Sequence, residues 1–281
     1  MQDSYLKFLL NVSRPRFWLY VLGPYLVGIA AGADTAEDLV RWDMLIFALY
    51  FLFPANLLIY GINDIFDFET DRRNPKKSEY ELLVRPESHR PLLRWIAFLN
   101  IPFIIAAYFI APQAIPSMGG FIFFSVFYSA PPIRAKAIPI IDSAFNILYV
   151  FPGAFAYQLI TGNFPPLIVI AAASMWTMAM HAYSAIPDIE ADREAGVSTI
   201  ATLLGSSWTH TFCQLCYTGA TILSITYIGP VALLGFLYLL IMRFSELSSK
   251  KHQFIYYKSF PWLNSLIGFA LFWYIAWPKI F

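Results

Sequence analysis

The chain reads as an all-α integral membrane protein. Nine transmembrane helices in two related halves are predicted around a central polar cavity open to the cytoplasmic side, with the N-terminus inside and the C-terminus outside. Three observations carry this reading. Of 281 residues, 58% are hydrophobic and only 13% are charged, with mean hydropathy +0.58, whereas soluble domains run at roughly half apolar and a quarter charged. Basic residues crowd alternate loops and are nearly missing from the others. A D-x-E-x-D-R hexapeptide occurs twice, at 67–72 and 188–193, each time at the end of a long apolar run.

A membrane-crossing helix needs about 20 mostly apolar residues, and the chain offers nine such runs in order. The first, roughly 17–33, follows Arg14 and Arg16; the stretch before it lacks a small-residue cleavage site and is expected to stay as a lead-in. The second, roughly 43–63, runs into the first acidic motif. The third and fourth are roughly 92–110 and 113–130, and the fourth ends in Tyr128-Ser129-Ala130-Pro131-Pro132-Ile133-Arg134-Ala135-Lys136. The fifth is roughly 139–160; the sixth, roughly 166–187, runs into the second acidic motif. The seventh, roughly 208–228, holds both cysteines, Cys213 and Cys216, which no further Cys or His cluster supports as a redox or metal pair. The eighth and ninth are roughly 230–244 and 259–278. Pro54, Pro102 and Pro152 fall inside these runs, where neighbouring helices can re-satisfy the freed carbonyls. All of 1–281 is expected to form one domain, with a pseudo-repeat relating roughly 43–73 to 166–194.

Lys and Arg set the orientation. Lys7, Arg14, Arg16, Arg72, Arg73, Lys76, Lys77, Arg85, Arg90, Arg94, Arg134, Lys136, Arg193, Arg243, Lys250, Lys251 and Lys258 fall on one side, and only Arg41 and Lys279 on the other. The crowded side is read as cytoplasmic, which puts both acidic motifs there. A net charge of +1 gives no reason to expect a nucleic-acid partner.

Upstream of the aspartates the repeat continues as polar residues in an apolar setting. Asn56, Tyr60, Asn63, Asp67 and Asp71 follow steps of three and four residues, as do Thr177, His181, Ser184, Asp188 and Asp192. Such a stripe must face a cavity or another helix rather than lipid. Asn56, Tyr60, His181 and Ser184 are therefore expected to line the cavity. Aspartates at i and i+4 share a helix face, and an oxygen-only donor set without His or Cys suits hard ions, above all Mg²⁺. Tyr128, Arg134 and Lys136 at the end of the fourth run are a candidate phosphate grip.

The pattern N-D-x-x-D-x-x-x-D at Asn63, Asp64, Asp67 and Asp71, with D-x-x-x-D at Asp188 and Asp192, resembles the UbiA superfamily of membrane prenyltransferases over nearly the whole chain. The segments 61–77, 128–142 and 192–202 are most similar to its carotenoid branch, the lycopene elongases. That resemblance implies a magnesium-dependent transfer of a prenyl group, dimethylallyl in that branch, from its diphosphate to an acyclic carotenoid end such as lycopene. It implies Asn63, Asp67, Asp71, Asp188 and Asp192 as metal ligands, with Asp64, Tyr128 and Asp188 in catalysis. Arg14, Arg72, Tyr128, Arg134, Lys136 and Arg193 would hold the diphosphate. The family's Y-x-x-x-K reads Tyr128 then Pro132 here, so Arg134 or Lys136 must stand in; Ser198 and Thr199 stand where quinone-pathway members carry a lysine. Asp64, off the i, i+4 series, is expected to orient Asn63 or a metal-bound water. The partners implied are an isoprenoid diphosphate, a lipophilic acceptor from the bilayer and the membrane of a bacterial or archaeal cell. An aromatic prenyltransferase of quinone or haem synthesis shares these features. An ion-coupled transporter would prefer inverted repeats and a midplane site, whereas both motifs here fall on one side.

Overall fold

Breaks in helices, more than helices themselves, shape this molecule. The computed structural model describes residues 2–72 and 82–281, except for the side chains of residues 2–4, 250 and 251; Arg73, Lys76 and Lys77, counted above, lie outside the described residues. Among the described residues all regular structure is helical. In chain order the α-helices are α1 (Gln2–Val12), α2 (Leu19–Gly32), α3 (Trp42–Leu52), α4 (Pro54–Phe66), α5 (Phe68–Asp71), α6 (His89–Ile110) and α7 (Ile115–Ser129). There follow α8 (Ile141–Ala144), α9 (Phe151–Thr161), α10 (Leu167–Ala185), α11 (Ile189–Glu194), α12 (Ile200–Ile228), α13 (Phe236–Glu246) and α14 (Lys250–Ile280).

Among the described residues six helical stretches are long and apolar enough to cross a membrane: Trp42–Phe66, Pro86–Ile110, Ile141–Thr161, Leu167–Glu194, the 47-residue Ile200–Glu246, and His252–Ile280. Leu19–Gly32 is a shorter apolar helix. The predicted fourth run forms the 15-residue α7, and the predicted seventh and eighth runs join through a 3-10 segment, Gly229–Gly235. Large apolar side chains stay exposed around the outside, among them Trp42, Leu49, Phe98, Phe109, Leu215 and Trp262, as hydrocarbon contact requires.

The helices pack in a ring. α2 meets α3 and α9; α4 meets α6 and α7; α10 meets α12, which continues to α13 and α14; and α14 returns to α2. Backbones approach closely where α2 crosses α9: a Cβ on Gly28 would lie 2.3 Å from the Gly153 carbonyl oxygen, the small-residue crossing common in membrane bundles. The ring closes through polar contacts. Lys279 Nζ donates to the Ala30 carbonyl at 2.6 Å and also to that of Ala33, carbonyls that the end of α2 leaves without helical partners. Asn264 Nδ2 donates to Tyr20 Oη at 3.0 Å.

The predicted second run is broken in two. Phe53 (φ −124°, ψ −60°) leaves helical geometry just before Pro54, whose ring disfavours the α region for the residue ahead of it. Asn56 Nδ2 mends the gap, donating to the Phe51 carbonyl at 3.0 Å and the Leu52 carbonyl at 2.9 Å, while Asn100 Nδ2 donates to the Pro54 carbonyl at 3.1 Å. Asn56 was expected to line the cavity. It is instead fully buried against its own helix, because freed carbonyls in an apolar setting are costly to leave unpaired. Its repeat counterpart Thr177 is likewise turned inward, donating to the Ser174 carbonyl at 3.0 Å.

Both acidic motifs bend at their first aspartate. Asp67 has φ −104° and ψ 2° between α4 and α5, and Asp188 has φ −96° and ψ −4° as the last residue of a 3-10 turn that leads into α11. The two motifs thus share backbone geometry at their first aspartate as well as a hexapeptide.

Candidate active site

One cavity of about 340 Å³ gathers most of the predicted residues: Arg14, Tyr60, Asn63, Asp67, Asp71, Tyr128, Lys136, His181, Ser184, Asp188 and Asp192 all line it. Both acidic motifs therefore face one space. The short helices α5 and α11 carry Asp71 and Asp192, so that two carboxylates from each motif line the cavity.

The first half is tied together by a polar chain. Asn63 Nδ2 donates to Ser129 Oγ at 2.9 Å, and Ser129 Oγ donates to Asp67 Oδ2 at 3.3 Å. The other oxygen, Asp67 Oδ1, lies 2.5 Å from Lys136 Nζ in an ion pair that lacks the alignment of a hydrogen bond. Burial pushes the Asp67 carboxyl above the ordinary carboxylate range, and Lys136 leads the charges that pull it back.

Of the two cations offered by the fourth run, Lys136 lines the cavity. Arg134 does not; it occupies the left-handed region (φ 48°, ψ 53°) at the turn that delivers Lys136. Arg14 is also left-handed (φ 52°, ψ 73°), immediately before Pro15, and Ile140 is a third such residue (φ 74°, ψ −47°). All three lie in segments feeding this cavity, where backbone strain tends to be kept for function.

Asp64 departs from expectation. It is buried and does not line the cavity; Oδ1 accepts from Arg14 Nη2 at 2.8 Å. It was expected to orient Asn63 or a metal-bound water, but Ser129 holds Asn63, and Asp64 aims Arg14, whose guanidinium also lies 4.7 Å from the Tyr60 ring centroid. Arg72 and Arg193 are not at the cavity either. Arg72 pairs with Glu69 at 3.0 Å with half its side chain exposed, and Arg193 donates to the Thr202 carbonyl at 3.1 Å. Each follows its last aspartate by one residue, which turns it off the aspartate face.

Several lining residues escaped sequence reasoning. Arg16 and Lys258 add cations, and Phe17, Tyr20, Tyr149, Tyr257 and Phe260 add rings. Lys258 stands at the start of the last predicted run, far in sequence from either motif, with no local pattern to mark it. Asp142, the last residue of the 128–142 segment and not among the expected site residues, is fully buried. Its oxygens accept from the Ser143 and Ile200 amides, each at 2.8 Å, and Oδ2 lies 3.6 Å from His181 Nε2.

The chain belongs to the UbiA prenyltransferase family, whose model matches residues 21–247; it is a membrane prenyltransferase. It is 43% identical over 218 residues to a lycopene elongase/hydratase of Haloferax volcanii, covering 77% of this chain and 71% of that one. It is 31% identical over 277 residues to a lycopene elongase/hydratase of Corynebacterium glutamicum, covering 94% of each. In fold it is similar to a UbiA homologue from Archaeoglobus fulgidus solved bound to GPP and Mg²⁺. That match has TM-score 0.75 at 22% identity and covers 95% of this chain and 99% of that one.

Proposed function

We propose that this enzyme transfers a dimethylallyl group from dimethylallyl diphosphate to the terminal double bond of lycopene or a similar acyclic carotenoid, with Mg²⁺ as cofactor. Four carboxylates from the two motifs and four cations, Arg14, Arg16, Lys136 and Lys258, around one cavity carry the reading. The most similar relatives named above are lycopene elongase/hydratases, and the Archaeoglobus fulgidus homologue was solved with a prenyl diphosphate and Mg²⁺. We read the fold as nine spans, with the N-terminus and the cavity mouth on the cytoplasmic side.

The donor set fits magnesium. It is made of oxygens alone, and Asp67 Oδ1 already accepts a cation without an aligned donor. Such an ion completes its coordination with water and substrate phosphate. Held by Asp67, Asp71, Asp188 and Asp192 with Asn63, magnesium would neutralise the diphosphate as charge develops on it.

The chain's own residues do the rest. Arg14 and Lys136 grip diphosphate oxygens, with Arg14 aimed by Asp64, and this stabilises the leaving group as the allylic C–O bond breaks. Phe17, Tyr20, Tyr60, Tyr149 and Phe260 wall the space beyond the carboxylates; they exclude water and turn ring faces toward the cationic carbon. The acceptor's double bond then supplies the electron pair for the new C–C bond.

Mass spectrometry of pigments from a lycopene-producing host expressing this chain tests the reading. Carotenoids heavier by one or two five-carbon units are expected. Unchanged lycopene, with prenylation of an added aromatic acid instead, would overturn the acceptor assignment.

A further inference from the structure

Transfer as proposed leaves a tertiary cation on the acceptor, one carbon from the new bond. A proton must leave that cation for the product to end as an alkene, so the reaction needs a base inside the hydrocarbon part of the cavity. The motif aspartates are poorly placed for this: they belong to the diphosphate end. The phenols of Tyr20, Tyr60 and Tyr149 keep their protons at neutral pH, since a phenol ordinarily gives its proton up only near 10, and so offer no basic lone pair. His210, the other histidine of the bundle core, is fully buried and bonded to Ser206 and Ser245, and it does not line the cavity.

His181 meets the requirement. It lines the cavity seven residues before Asp188, about 10 Å deeper along the helix at 1.5 Å per residue. That depth matches the hydrocarbon end of a five-carbon donor and the start of the acceptor, with Met180, Leu148 and Ile59 on the same walls. The ring is oriented rather than loose. Nε2 is buried 3.6 Å from the fully buried Asp142 carboxylate, and the Tyr128 ring meets the imidazole edge-on at 5.8 Å between centroids. Asp142 is itself fixed by the Ser143 and Ile200 amides. A carboxylate beside Nε2 favours the tautomer with its hydrogen there, which leaves the Nδ1 lone pair for the cavity.

We propose that His181 is the base that ends the transfer and that Asp142 is its positioning residue. This rests on the prenyl-transfer reading above. The C–H bond beside the cationic carbon breaks, its electron pair becomes the new C=C bond, and the proton passes to His181 Nδ1. The imidazolium so formed faces Asp142 and returns the proton to water at the mouth as product leaves. The same pair sets the outcome for the cation: deprotonation gives the alkene, and capture by a water gives an alcohol.

The test uses the purified protein in lipid nanodiscs with Mg²⁺, dimethylallyl diphosphate and lycopene. Diphosphate release, coupled carotenoid and the alkene-to-alcohol ratio are scored separately for wild type and His181→Gln. The expected result is a KM for the donor within about twofold of wild type and an alkene-to-alcohol ratio lowered about tenfold or more, the scale of losing a general base. Asp142→Asn, which keeps an acceptor for the Ile200 amide, should lower the ratio in the same direction and decides the matter if His181→Gln does not fold. Wild-type ratio and turnover in the folded variant would overturn the assignment and point to the departing diphosphate as base. If wild type itself forms no coupled carotenoid, the acceptor reading falls, and the assignment with it.

Discussion

Arg14 shows how a single side chain is placed by parts of the chain that sequence patterns do not connect. Its backbone is held left-handed by the turn into Pro15, and its guanidinium is fixed between Asp64 Oδ1 and the Tyr60 ring. The helical period at Asn63, Asp67 and Asp71 correctly brought three residues to one cavity. The same period could only say that Asp64 lay off that face; its partner, 50 residues away, was invisible. Asp64→Asn keeps the shape and removes the charge that aims Arg14. We expect the donor KM to rise about tenfold, a loss of about 1.4 kcal/mol in binding, with kcat less affected. Steady-state kinetics with varied dimethylallyl diphosphate checks this; an unchanged KM would show that Arg14 does not depend on Asp64. The choice between Arg134 and Lys136 was likewise beyond the sequence, because it turns on a left-handed residue that delivers one and diverts the other.

At the scale of elements, apolar runs located the long helices well, since length and hydropathy are local properties. The bends were harder. By sequence Pro54 is a tolerated proline inside one run, yet the helix breaks at Phe53 just before it, and nothing local marked Asp67, whose dihedrals resemble those of Asp188. Asn56 was misplaced for the same reason: periodicity assumed an unbroken helix, and the break created carbonyls that claimed its amide. Asn56→Ala should therefore destabilise the fold by about 1–3 kcal/mol, the cost of leaving buried polar groups unpaired, while the variant retains most of its turnover below its melting transition. Thermal unfolding in detergent alongside activity measures both. A variant as stable as wild type, but inactive, would return Asn56 to the cavity.

For the whole molecule, the proposed orientation in the membrane rests on the asymmetry of its basic residues. A cysteine introduced by Thr35→Cys, between α2 and α3, should react with an impermeant thiol reagent from outside the cell. One introduced by Ser249→Cys, at the start of α14, should react only after the membrane is opened; the native Cys213 and Cys216 are buried and leave the background low. The reverse labelling would invert the proposed topology. The ring of helices brings the two acidic motifs to one cavity, and the account stands on both motifs acting at once. The decisive measurement is prenyl transfer by purified protein with Mg²⁺, after chelation, and after Mg²⁺ is restored, for wild type, Asp67→Asn and Asp188→Asn. Transfer should vanish with the metal and return with it, and each variant should fall by about a hundredfold or more. Full Mg²⁺-dependent transfer by either variant would contradict the claim that the two motifs form one site.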